Sequence, residues 1–226
     1  MSAKMSKKEL ESPDVFQSSL ERFSDYIREN KTRSVTILTA FVLAMLIAFG
    51  IYLYWNNYQA SAIALYARAQ DDLSGKKELS PSAEQKIKIF KELIEKYPHS
   101  WSARMARYRL GNAYFDLGQV ELAIDYYKDF VSSSSSDNAG VRFLALTSLG
   151  YCYEKKKDWK NALAYFEEAQ KSNSTGFESI ALRNIARIYE EQNDKKKALE
   201  YYQNALEKTT DPAMTIFIKR KISVLS

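Results

Sequence analysis

The stretches LGNAYFDLGQVELAIDYY (110–127), LGYCYEKKKDWKNALAYFEEA (149–169) and IARIYEEQNDKKKALEYYQNA (185–205) are three copies of one pattern. Leu110-Gly111, Leu149-Gly150 and Ile185-Ala186 open them, with Tyr114, Tyr153 and Tyr189 at a common offset. Ala123, Ala162 and Ala198 follow the small residue at one fixed distance. Tyr127, Phe166 and Tyr202 come next, then Phe130, Ala169 and Ala205. Such spacing describes two amphipathic helices joined by a short turn: small residues stand where the helices of a hairpin approach closely, and aromatic residues fill the gap between neighbouring hairpins. Gly111, Gly150 and Ala186 stand 39 and 36 residues apart, so the unit repeats along the chain.

Composition agrees with an all-α chain. Only 7 Gly and 4 Pro occur among 226 residues, too few for the turns of a strand-rich fold. The formal net charge is +5, from 33 Lys and Arg against 28 Asp and Glu mixed along the length, which argues against a nucleic-acid binder. The single cysteine, Cys152, excludes an intramolecular disulfide, a CxxC redox site and a cysteine zinc cluster.

A second feature decides topology. Residues 35–54, VTILTAFVLAMLIAFGIYLY, carry no charge and match the roughly 20 residues a helix needs to cross a hydrocarbon core. Tyr52, Tyr54, Trp55 and Tyr58 crowd one end, where amphipathic rings favour the headgroup layer. Arg22, Arg28, Lys31 and Arg33 precede the run, whereas Arg68 alone lies on the corresponding stretch after it, so the N-terminal side is expected to stay cytoplasmic. A cleaved signal sequence is the competing reading, with Ala60-Ser61-Ala62 as the cleavage-like site, but the apolar run is longer than such a region requires. The expected organisation is a cytoplasmic tail over 1–34, a transmembrane helix over 35–55 and a periplasmic repeat domain over 56–226. Within the tail, Ser12-Pro13-Asp14 reads as a helix start. Phe16, Leu20, Phe23 and Ile27 then form an apolar stripe, which suits a lipid surface, a cytoplasmic partner or a nascent helix.

The three copies resemble the tetratricopeptide repeat, and the resemblance extends over about 60–226. It implies a superhelix of helical hairpins. Phe90, Leu93 and Pro98 would close a degenerate first repeat whose first helix continues from the membrane. Met214, Ile216, Phe217, Ile222 and Leu225 would form a helix closing the far end. A break is expected at Ser74-Gly75, a helix start at Ser80-Pro81 and a flexible loop at 132–136. The layout as a whole, with a charged tail, one span ending in Tyr54-Trp55-Asn56 and the stretch YLYWNNYQASAIALYARAQ, resembles the ancillary Sec-translocon subunit family of bacteria (YfgM-like). That resemblance implies an inner-membrane protein that stands beside the translocon with periplasmic chaperones and receives emerging chains.

Catalysis is not indicated. Hydrolytic or metal chemistry needs converging His, Cys or carboxylate groups, and the one histidine, His99, follows Pro98 in an inter-repeat turn. Adjacent acids such as Glu167-Glu168 and Glu190-Glu191 splay apart on a helix. No phosphate-binding glycine loop occurs, and no catalytic residue, cofactor or metal ligand is assigned. Recognition then falls to surfaces. Tyr108, Asn112, Phe115, Tyr151, Arg183 and Arg187 have the spacing of groove-facing positions on the first helices of the hairpins, although packing roles are open to them too. Tyr108 and Ile180 occupy places where a carboxylate-clamping groove needs bases, so that specialised form is not expected. Lys155-Lys156-Lys157 and Lys195-Lys196-Lys197 fall near hairpin turns, as solvated turns or as an edge for an anionic partner. In the span, Thr36, Ala40, Ala44 and Ala48 recur every fourth residue and offer a small-residue contact face. The function expected is a membrane-tethered protein-binding adaptor, with an envelope-assembly or cell-division scaffold as the alternative.

Overall fold

A computed structural model describes residues 15–70, 82–133, 140–172 and 176–226. The expected features at 12–14, 73–75, 80–81 and 134–136 lie outside the described residues, as does the side chain of Phe16. Within the described residues the regular structure is helical throughout: α1 (Val15–Glu29), α2 (Lys31–Gln70), α3 (Ala83–Lys96), α4 (Trp101–Asp116), α5 (Val120–Ser133), α6 (Val141–Lys155), α7 (Trp159–Lys171), α8 (Glu178–Glu191), α9 (Lys195–Lys208) and α10 (Pro212–Leu225).

The chain divides into two compact units, Met1–Asn57 and Tyr58–Ser226. In the first, Asn30 closes α1 by donating its N–H to Tyr26 O (3.0 Å) and opens α2 by accepting from Ser34 N (2.9 Å). The apolar part of α2 is exposed on all sides, and α2 is the one described helix long and apolar enough to cross a membrane.

The second unit is a stack of hairpins. α4 pairs with α5, α6 with α7 and α8 with α9, and each hairpin packs on the next. The last turns of α2 and the helix α3 precede them, with Ala62, Tyr66 and Ala69 buried alongside Phe90 and Leu93. Tyr66 meets Phe90 with ring centroids 5.6 Å apart.

Small residues do set the hairpin contacts. A Cβ on Gly111 would stand 2.5 Å from the Tyr127 ring, and one on Gly150 would collide with the Phe166 ring. Ala123, Ala162 and Ala198 are wholly buried, and Tyr127, Phe166 and Tyr202 fill the interior beside them. Burying each of these rings stabilises the stack by roughly 1.5–3 kcal/mol.

Every hairpin turn uses a left-handed residue at the same register position: Gly118 (φ 75°), Lys157 (φ 59°) and Asn193 (φ 64°). Asp158 and Asp194 follow the last two and cap α7 and α9, accepting from Asn161 N and Lys197 N at 3.1 Å each.

The closing helix α10 starts on Asp211, whose side chain accepts from Ala213 N, with Pro212 in the first turn. Its packing differs from the expected set. Ile218 is the buried residue, and Met214, Ile222 and Leu225 flank it against Tyr202 and Ala205, whereas Ile216 and Phe217 are exposed. Residues spaced by three or four share a helix face, so 214, 218, 222 and 225 turn inward together and 216 and 217 turn out.

Candidate functional site

The first helices of the hairpins, α4, α6 and α8, supply the six groove candidates, and all six side chains are half-buried. They fall into two groups.

On α4, the residues are largely engaged with their own hairpin. The Tyr108 ring packs 6.0 Å from Tyr127 and 5.7 Å from Phe130. Asn112 Oδ1 accepts from the Tyr127 hydroxyl at 2.7 Å. Phe115 lies beneath the Lys155 ammonium, 5.3 Å from its ring centre, an ammonium–π contact between hairpins.

On α6 and α8, the structure brings Tyr151, Arg183 and Arg187 into one polar cluster. Tyr151 donates its hydroxyl to Asn184 Oδ1 (3.2 Å), and Arg183 donates to the same oxygen (3.1 Å). Arg183 also reaches Met214 Sδ on α10 at 3.6 Å. Arg187 donates to Glu154 Oε2 at 2.6 Å while its guanidinium carbon lies 5.2 Å from the Tyr151 ring centre. One turn along, Glu190 accepts from the Tyr202 hydroxyl (2.9 Å) and from Lys221 Nζ (2.8 Å).

Two donors in this cluster are buried with no partner: Asn184 Nδ2 and Arg187 Nε. Arg183 has only donors to offer, so the amide atom facing it is an oxygen, and Nδ2 is the atom left unpaired. A buried donor without an acceptor costs about 1–3 kcal/mol.

Electrostatics in the cluster follow burial. Desolvation raises the Glu154 carboxyl above the usual carboxylate value, against the opposing pull of Arg187. Burial also pushes the Cys152 thiol up to about 12, which leaves it a packed apolar side chain at neutral pH.

Asn184, Glu154, Glu190 and Lys221 were not among the sequence candidates. Glu154 and Glu190 sit three residues past Tyr151 and Arg187, so the helical period places them on the same face. Asn184 carries no such signal. The lysine runs are partly engaged: Lys156 pairs with Glu121 (3.2 Å) and Lys197 lies 4.9 Å from the Tyr189 ring centre, while Lys195 and Lys196 are exposed. His99 donates its backbone N–H to the Tyr58 hydroxyl at 3.2 Å. Thr36, Ala40, Ala44 and Ala48 lie exposed on α2, and Thr36 donates its hydroxyl to Thr32 O at 2.9 Å.

Residues 141–210 and 106–137 each match a tetratricopeptide repeat family model. The chain thus carries the repeats that its sequence resembles, in the hairpins α4 to α9. Solved structures share the fold. A MamA protein aligns with TM-score 0.57 and 18% identity over 74% of this chain and 81% of its own. MamA from Desulfovibrio magneticus RS-1, from residue 41 to its end, aligns with TM-score 0.53 and 18% identity over 73% of this chain and 88% of that one. The pilF protein of Pseudomonas aeruginosa aligns with TM-score 0.55 and 17% identity over 75% and 69%. No curated protein sequence is significantly similar to the chain.

Proposed function

We propose that this chain is a membrane-tethered adaptor that binds other proteins through the α6–α8 face of its repeat domain and works beside the Sec translocon, with periplasmic chaperones, on exported clients. The observation carrying the binding role is the half-buried cluster of Tyr151, Arg183 and Arg187, held in place across two hairpins by Asn184 and Glu154. Tyr and Arg are the side chains that interface hot spots favour, and the exposed parts of these three are what a client segment meets.

The tether is α2. An uncharged stretch of this length, exposed on every side, is stable in hydrocarbon and costly in water. The excess of Arg and Lys before it supports a cytoplasmic N-terminus and an exported repeat domain. The translocon assignment rests on the resemblance of the layout and of the 52–70 stretch to the YfgM-like subunits. In the bilayer, Thr36, Ala40, Ala44 and Ala48 form the face on which a second membrane helix packs closely. Ala44→Ile fills that face and is expected to reduce co-purification of membrane partners.

The test is crosslinking in native membranes followed by mass spectrometry, comparing wild type with the Tyr151→Ala/Arg187→Ala double variant. Translocon subunits, chaperones and exported proteins are expected among the wild-type products and depleted in the variant. An unaltered pattern from a folded variant would move binding off this face. A reporter fused after Ser226 that works only in the cytoplasm, if active, would remove the exported orientation and the translocon reading with it.

A further inference from the structure

We propose that α1 is an interfacial helix that lies in the phospholipid headgroup layer beside the span, an inference that rests on α2 crossing the membrane. α1 is amphipathic in its described part. Leu20, Phe23 and Ile27 recur at spacings of three and four and are 51%, 64% and 39% exposed, a face left largely open among the described residues.

At 100° per residue they occupy an arc of about 60°. Asp25 and Glu29 fall roughly 150–170° from the centre of that arc, Arg22 and Glu21 about 130° and Arg28 about 110°. On average the two cations therefore stand nearer the margins of the apolar face than the three acids do. From there their long stems reach phosphates while Leu20, Phe23 and Ile27 enter the acyl boundary.

The occupant follows from chain continuity. α1 ends on Asn30, the same residue that opens α2, and the uncharged run begins at Val35. Five residues of helix rise about 8 Å, comparable to the thickness of one headgroup layer, roughly 5–8 Å. The end of α1 thus never leaves the interface, and the lipid surface is available without the translational cost that a separate partner pays.

A seam with a second copy of α1 is the weaker occupant. A helix of 15 residues spans two heptads, whereas a self-supporting coiled coil is expected to sustain about three or four. Asn30 suits the junction because Asn is a preferred helix-opening residue, and its side chain also donates to Tyr26 O at 3.2 Å.

The test uses the full chain in vesicles of phosphatidylethanolamine and phosphatidylglycerol. Spin labels are placed singly at Phe23→Cys, Ile27→Cys, Asp25→Cys and Ala44→Cys, and collision rates are measured with lipid-soluble oxygen and with an aqueous nickel chelate. Labels at 23 and 27 are expected to favour oxygen and the label at 25 to favour nickel. Aqueous exposure at 23, 25 and 27 alike, with the label at 44 in lipid, overturns the interfacial helix and leaves the span intact. Dipolar broadening between labels at 23 overturns it in favour of a second copy. An aqueous label at 44 overturns the span itself, and the inference with it.

Discussion

Arg187 Nη2 donates to Glu154 Oε2 at 2.6 Å, joining the third hairpin to the second across 33 residues of chain. The pair does not lower the Glu154 carboxyl, because burial of the carboxylate outweighs the attraction of the guanidinium. Glu92 shows the opposite balance. It is half-buried at the surface of α3, and the hydrogen bond from Lys96 holds its carboxyl below the usual value.

These opposite directions predict a pH response. A carboxyl raised in the folded state binds its proton more firmly there than in the unfolded chain. Glu154 therefore contributes stability that is present below the unfolded carboxylate value, near 4.5, and lost as pH rises through its higher folded value. Carbon-13 NMR titration should place the Glu154 midpoint above 4.5 and that of Glu92 below it. A Glu154 midpoint below that of Glu92 would show that the ion pair, not burial, governs this contact.

Ala162 tests the repeat register. It is wholly buried against Phe166, Ile185 and Ile188, and Ala164, on the same helix, is exposed. Ala162→Leu should overpack the contact between hairpins and cost on the order of 1–3 kcal/mol. Ala164→Leu should lie within about 0.5 kcal/mol of wild type. Urea unfolding of the detergent-solubilised chain reads both, and equal midpoints would contradict the register.

The hairpins were legible in the sequence because their signal is periodic. Small residues and rings at fixed offsets mark close helix contacts wherever they recur, as Gly111 under Tyr127 and Gly150 under Phe166 do. The apolar run of α2 was legible for the same reason, since length and lack of charge are properties of the string itself. The candidate face was only half legible. Helical spacing selected Tyr151 and Arg187 but gave no hint that Asn184 and Glu154 would meet them, because those contacts join residues 33 apart and depend on how two hairpins dock. Tyr108 and Asn112 show the converse: their spacing suits a groove, yet the neighbouring helix claims them through Tyr127.

The turn residues carry a prediction of opposite signs. Lys157 adopts φ 59°, where its Cβ crowds the carbonyl, while Gly118 meets the same requirement at φ 75° without a side chain. Lys157→Gly should stabilise the chain by about 0.5–1 kcal/mol, the relief of strain exceeding the added freedom of the unfolded state. Gly118→Ala should destabilise by about 1 kcal/mol from the backbone alone, since nothing lies within 4 Å of the added Cβ. Equal and opposite shifts in the urea midpoint would fit this account; a loss of stability in Lys157→Gly would show that the lysine side chain contributes more than its strain costs.

Asn184 separates folding from recognition. Its Oδ1 accepts from Tyr151 and Arg183, and its Nδ2 has no acceptor. Asn184→Asp preserves shape and keeps an oxygen toward both donors, while it replaces the unpaired donor with an acceptor. The added charge stands beside Arg183, which offsets part of its desolvation. The fold should therefore persist, with unfolding shifted by about 1 kcal/mol or less, the desolvation cost being set against a charge-assisted bond. Client capture should stay near wild type, because the amide is wholly buried, out of a client's reach, and Asp keeps an oxygen toward Tyr151 and Arg183. Asn184→Leu is the contrasting variant: Tyr151 and Arg183 then face an apolar group, so stability falls and capture falls with it as the two side chains lose their positions. Full capture by a stably folded Asn184→Leu chain would show that clients do not use the face that this amide holds in place.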